Sequence, residues 1–163
     1  TYTRVSRQNF VLQSVDIGRL VRQIIEERPE LKPPAATIVV EEDLVPVRGH
    51  EASLTQVITN LLENAVKFKA SDRESRIQVR SEREGDCVNV WFEDNGIGIP
   101  PEAIGQLFTL FHRVHHDKTY PGTGVGLAIV RKAVERMGGS VRVESQLGVG
   151  SRFCVRLQRG DEA

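Results

Sequence analysis

Arg76-Ile-Gln-Val-Arg-Ser-Glu-Arg-Glu-Gly-Asp-Cys87-Val-Asn-Val-Trp-Phe-Glu93 reads as two strands folded back through a turn around Gly85. Ile77 and Val79 in the first half, and Val88, Val90 and Phe92 in the second, place apolar groups at every second position. Two later segments, Ser140–Ser145 and Arg152–Gln158, repeat the pattern with Val141, Val143, Phe153, Val155 and Leu157 around a turn at 148–150. The alternate positions carry Arg80, Asn89, Arg142, Glu144, Arg152 and Arg156. A sheet with one apolar and one polar face needs cover on one side only. Trp91 falls on the polar face, for which this scheme gives no reason.

Three amphipathic segments can supply that cover. The first begins at Asp16, a plausible N-cap, and carries Ile17, Leu20, Val21, Ile24 and Ile25 at helical spacing until Pro29. The second runs from about Glu51 to Phe68, and the third from about Val125 to Met137, stopping at Gly138-Gly139. Residues 8–16 and Thr37–Val40 have strand character, with Pro33-Pro34 interrupting between them. Asp94 to Pro121 reads as loop, with one short helix after Pro100-Pro101. The expected fold is an α/β (α+β) two-layer sandwich. Its sheet is mixed and mostly antiparallel, with three helices on one face, and it is not doubly wound.

At 163 residues the chain has the size of one domain able to bury a core. Lys plus Arg and Asp plus Glu both total 22, so no cationic excess is available for nucleic acid. No apolar run approaches the roughly 18 residues of a membrane span, and no signal peptide is visible. The chain starts at Thr1, which suggests a piece of something longer, whose membrane attachment stays open. Cys87 and Cys154 lack metal spacing and read as inert, reduced thiols.

Three segments carry chemistry. In Asn60-Leu-Leu-Glu-Asn64-Ala-Val-Lys67, the two amides and the ammonium fall within roughly 60° of one another on a helix. They border an apolar arc of Leu54, Ile58, Leu61 and Ala65, where unpartnered amides are costly unless they hold something. Amide oxygens suit Mg²⁺, and Lys67 suits a phosphate; a solvated helix face is the plainer alternative. Asp94-Asn-Gly96-Ile-Gly98 follows a strand, and its carboxylate can accept from the exocyclic amine of adenine, disfavouring the carbonyl of guanine. Gly96 and Gly98 allow close backbone approach, although the same residues also make an ordinary turn. Gly122-Thr-Gly124-Val-Gly126-Leu127 exposes amide donors ahead of a helix, a natural phosphate seat, but matches neither a Rossmann nor a Walker spacing. Between Phe108 and Pro121, Arg113 is the best γ-phosphate contact of a lid; His112, His115 and His116 could alternatively form a metal site. Together the segments are the parts needed for a purine, a divalent metal and a triphosphate.

In this combination the chain resembles the catalytic ATP-binding domain of two-component sensor histidine kinases, relatives of gyrase, Hsp90 and MutL with the Bergerat fold. The N box matches Asn60–Lys67 followed by Phe68, the first glycine box Asp94–Pro100 including Ile99, and the aromatic box Leu107–Phe111. The second glycine box matches Gly122–Leu127 (Gly122, Thr123, Gly124, Val125, Gly126, Leu127), and the last matches Gly148-Val-Gly150-Ser151-x-Phe153. The lid stretch is similar to phytochrome-type kinases. The likeness covers about 8–158, with 1–7 as the end of a linker from a missing dimerisation domain and 159–163 as a tail.

The resemblance implies that Asn64, helped by Asn60, coordinates Mg²⁺, that Lys67 and Arg113 hold phosphates, and that Asp94 reads adenine with Ser151 assisting. It implies ATP and Mg²⁺ as cofactors. As partners it implies a histidine-bearing dimerisation domain and a response regulator receiver domain, without nucleic acid or direct membrane contact, in the cytoplasm. ATP-hydrolysing relatives carry a glutamate base where this chain has Asn60, and Glu63 is rotated roughly 100° from Asn64. Slow idle hydrolysis is therefore expected, whereas a neutral histidine acceptor is already nucleophilic. None of His50, His112, His115 or His116 lies in the His-Glu-x-x-Arg-Thr-Pro context of the phosphoacceptor. The alternatives are a serine/threonine kinase of the same fold and a transfer-inactive nucleotide-binding docking module.

Overall fold

The computed structural model describes residues 11–108 and 126–161. Its elements are β1 (Gln13–Val15), α1 (Ile17–Glu26), β2 (Thr37–Val40), β3 (Val47–Gly49), α2 (Glu51–Lys67), β4 (Arg76–Glu84) and β5 (Cys87–Asp94). The short α3 (Pro101–Ile104), then α4 (Gly126–Arg136), β6 (Ser140–Gln146) and β7 (Gly150–Gln158), complete the described part.

The local signals act as expected. Asp16 caps α1 by accepting from the Arg19 amide at 3.1 Å, and α4 ends just ahead of Gly138. Five strands form one sheet in the order β2-β4-β5-β7-β6, parallel only between β2 and β4. The sheet is thus mixed and mostly antiparallel. Its alternating apolar face, including Val79, Val88, Val90, Phe92, Phe153, Val155 and Leu157, is buried in one core with α1, α2 and α4. Leu20, Val21 and Ile24 of α1, Leu54, Ile58 and Leu62 of α2, and Val130 and Val134 of α4 are the helices' share.

Two expectations need correction. The N-terminal strand is only Gln13–Val15 within the described residues, and its partner is β3, which the sequence did not announce. Three residues are too few for alternation to be read, and Pro46 and Gly49 disguise the segment as loop. The outer face of the sheet is also not simply wet: Trp91 is 4% exposed, and Asn89 and Cys154 are buried beside it. Register explains this. Arg80 stands opposite Trp91 on β4, Cys154 stands opposite it on β7, and Arg142 stands opposite Cys154 on β6. The guanidinium carbons of Arg80, Arg142 and Arg152 lie 5.3, 5.0 and 4.9 Å from the indole centroid, and the indole N–H donates to Glu82 at 3.1 Å. The guanidinium groups shield the ring while keeping contact with water, and Arg80 pairs with Glu93 at 2.8 Å and Arg152 with Glu144 at 2.6 Å. Trp91→Ala should therefore cost about 3 kcal/mol or more in urea unfolding. A loss below about 1 kcal/mol would show that the arginine layer does not depend on the ring.

Burial pushes the Cys154 thiol up to about 11, which keeps it protonated and inert.

Candidate nucleotide site

On α2 the structure reproduces the helical reading. Leu54, Ile58, Leu61 and Ala65 are buried, Asn60 and Asn64 are half-buried, and Lys67 is exposed. Asn60 sits against the start of α4: a Cβ added at Gly126 would lie 3.6 Å from the amide oxygen of Asn60. Glu63 turns the other way, its carboxylate 3.6 Å from the Arg28 guanidinium.

The asparagine helix and the aspartate loop are joined through backbone. The Phe68 amide closes the end of α2 on the Asn64 carbonyl at 3.1 Å, and the Phe68 carbonyl accepts from the Ile97 amide at 3.0 Å. A side chain at Gly96 would come within 2.5 Å of that carbonyl, so only glycine allows the approach. Antiparallel register then places Asp94, the last residue of β5, directly opposite Ser151 on β7. Buried Gly98 and Ile99 pack this loop against the β6–β7 turn, whose Gly148 amide donates to the Ile97 carbonyl at 2.8 Å.

Asp94 spends one carboxylate oxygen on the protein. Its Oδ1 accepts from the amides of Gly96 at 2.9 Å and Ser151 at 3.3 Å. Among the described residues, every hydrogen bond of this carboxylate falls on Oδ1, which leaves Oδ2 as an acceptor without a protein donor. Burial lifts its pKa from 3.8 to about 6, against the opposing pull of the two amides. A half-desolvated carboxylate with one open oxygen is suited to a neutral N–H donor.

Two contributors escaped the sequence. Ser145 Oγ lies 2.8 Å from the Ile99 amide, 2.9 Å from the Gly150 carbonyl and 2.8 Å from Ser151 Oγ. Its single proton satisfies the carbonyl, so Ser151 donates to Ser145 and keeps its own lone pairs. A signal was present: Ser145 shares strand parity with Val141 and Val143, where an apolar residue is expected. Arg73, which hydrogen-bonds the carbonyls of Asn95, Gly96 and Gly148, left no signal in its polar loop.

Of the remaining candidates, Phe68 is half-buried and Leu127 follows Gly126 in the first turn of α4. From the aromatic box, Leu107 is buried and Phe108 meets Phe153 edge-on at 6.2 Å. Arg113, Gly122, Thr123, Gly124 and Val125 lie outside the described residues, as do His112, His115, His116 and Lys118. A concavity of about 250 Å³ is lined by Asp94, Ser145 and Ser151 together with Glu93, Glu144 and Arg152, and by no residue of α2.

The chain belongs to the family of histidine kinase-, DNA gyrase B-, and HSP90-like ATPases, whose profile matches residues 49–161. Phytochrome-like protein Cph1 of Synechocystis sp. is 31% identical over 161 residues, covering 99% of this chain and 21% of that protein. The mycobacterial sensor histidine kinase MprB has a TM-score of 0.78 at 25% identity, over 92% of this chain and 100% of that one. Full-length ShkA, solved in complex with AMPPNP, has a TM-score of 0.77 at 29% identity, over 95% of this chain and 32% of that one. The chain thus spans about a fifth of the length of the curated relative Cph1.

Proposed function

We propose that this chain is the ATP-binding catalytic module of a sensor histidine kinase, delivering the γ-phosphoryl group to a histidine on a separate dimerisation domain. The observation that carries this reading is the Phe68 carbonyl bond to Ile97, which sets the asparagine stripe of α2 and the open oxygen of Asp94 at two ends of one continuous backbone junction. In this reading Asp94 Oδ2 accepts from the exocyclic amine of adenine, with Ser151 and Ser145 supporting that wall and Ile99 and Phe68 flanking it. Guanine would set a carbonyl against the carboxylate, so ATP is favoured over GTP.

Asn64 and Asn60 offer neutral oxygen donors for Mg²⁺. No cluster of three or more His, Cys, Asp or Glu able to hold a metal occurs among the described residues. Neutral amides fit an ion that keeps waters and relies on substrate phosphates for charge. When bound, the metal supplies charge neutralisation at the phosphates. Lys67, Arg113 and the amides of Gly122–Leu127 are assigned to the phosphate oxygens, because phosphoryl transfer depends chiefly on positioning and charge. Glu63, engaged with Arg28, is no base for water, and Asn60 cannot be one. Slow idle hydrolysis and transfer to an intrinsically nucleophilic imidazole follow.

A receiver domain would take the phosphoryl group onward. No helix among the described residues is long and apolar enough to cross a membrane, and dependence on cellular ATP favours the cytoplasm. The chain alone should bind ATP and label itself little; adding the cognate dimerisation domain in trans should restore labelling from γ-labelled ATP. The label should be lost in acid, as phosphohistidine is. An acid-stable label would favour serine or threonine transfer, and tight ATP binding without any transfer to that partner would favour a docking module.

A further inference from the structure

Arg73 lies in the loop between α2 and β4, outside every motif above, yet its guanidinium joins two separate turns. Nε donates to the Asn95 carbonyl at 2.7 Å, and Nη2 donates to the carbonyls of Gly96 at 2.8 Å and Gly148 at 2.9 Å. The Asn95 side chain holds the same junction, accepting from the Arg76 amide at 2.8 Å and donating to the Glu74 carbonyl at 2.9 Å. Asp72 approaches Arg73 at 3.4 Å but is largely exposed, so water screens that pair.

The consequence for Asp94 follows from peptide geometry. In a trans peptide the C=O and N–H point in opposite directions. With the Asn95 carbonyl drawn to Arg73, the Gly96 N–H of the same peptide faces away from it and meets Asp94 Oδ1 at 2.9 Å. The bond to Gly148 holds the turn that leads into β7, whose Ser151 amide is the second donor to that oxygen, at 3.3 Å. One guanidinium therefore steadies both donors that occupy Oδ1. A planar fork can serve three carbonyls at once; a lysine ammonium cannot match that geometry.

We propose that Arg73 is a positioning residue for nucleobase selectivity: by clamping the Asn95–Gly96 peptide and the β6–β7 turn, it commits Asp94 Oδ1 to the backbone and presents Oδ2 to the base. It rests on the reading of Asp94 as the adenine contact, and Arg73 itself touches no nucleotide.

The test compares ATP and GTP dissociation constants by calorimetry for the chain and its Asp94→Asn, Arg73→Met and Arg73→Lys variants. Arg73→Met should lose about tenfold in ATP affinity with little change for GTP, collapsing the ratio, while Arg73→Lys falls about threefold. A purely structural arginine would weaken both nucleotides equally, and an unchanged ratio overturns the proposal. If Arg73→Met loses its cooperative melt, the ratio in Arg73→Lys decides in the same way. Absence of ATP preference in the unaltered chain sinks the Asp94 reading and this proposal with it. A preference abolished in Asp94→Asn but kept in both Arg73 variants sinks the clamp alone.

Discussion

Asp94→Asn should bind ATP about 30-fold more weakly than the unaltered chain at neutral pH, yet unfold at a higher temperature. The two backbone donors at Oδ1 require an acceptor, so the amide oxygen of the new side chain takes that position. Its NH₂ then stands where Oδ2 stood and opposes the adenine amine, donor against donor; a charged hydrogen bond is worth about 1.5–3 kcal/mol. Guanine, with a carbonyl there, should lose its disadvantage. The stability gain has a definite sign. Because the folded-state pKa of Asp94 is raised from 3.8 to about 6, the fold favours the protonated carboxyl. That contribution is complete below 3.8 and is lost as pH rises through about 6, leaving a penalty of at most about 3 kcal/mol at pH 7. Asparagine carries no such penalty. Melting at pH 5 and pH 7.5 should show the gap between variant and parent widening with pH, while ATP affinity of the parent declines below about pH 6. Equal ATP affinity in the two proteins would remove Asp94 from the site.

Gly98→Ala should cost about 3 kcal/mol or more and abolish measurable nucleotide binding. Gly98 has φ +77, and a Cβ there would stand 2.3 Å from the Gln146 carbonyl oxygen and 2.8 Å from the Leu147 Cα. Both are backbone atoms that cannot swing aside, so the aspartate loop must separate from the β6–β7 turn. That separation breaks the Gly148–Ile97 bond and removes the Ser151 amide from Asp94. Gly148 provides the control, having φ +85 with nothing within 4 Å of an added Cβ. Gly148→Ala should cost only the left-handed backbone strain, about 1–2 kcal/mol, and retain binding. Similar losses for the two variants would mean that strain, and not the contact between turns, governs the loop.

Much of this architecture was legible before any coordinates. Alternation in β4, β5, β6 and β7 assigned the inner face correctly, because successive side chains of a strand must point to opposite sides. Helical spacing put Asn60, Asn64 and Lys67 on one stripe of α2 for the corresponding geometric reason. Asp16 was legible as a cap, since capping is a contact between residues three apart. The misses are of another kind. β3 is too short to show a period, and Trp91 became intelligible only when Arg80 and Cys154 were found opposite it. Ser145 showed as a polar residue at an apolar position, but its partners Ile99 and Ser151 lie on other strands and loops.

The sequence by itself determined the longer helices and strands, their apolar faces and the residue types available for a nucleotide, because those properties repeat with the local geometry of the chain. Only the tertiary structure decided that Phe68 meets Ile97, that Ser151 reaches across 57 positions to Asp94, and that Arg73 binds both turns. Such pairings depend on strand register and loop path, set by the packing of the whole core, and no local period of the sequence encodes them.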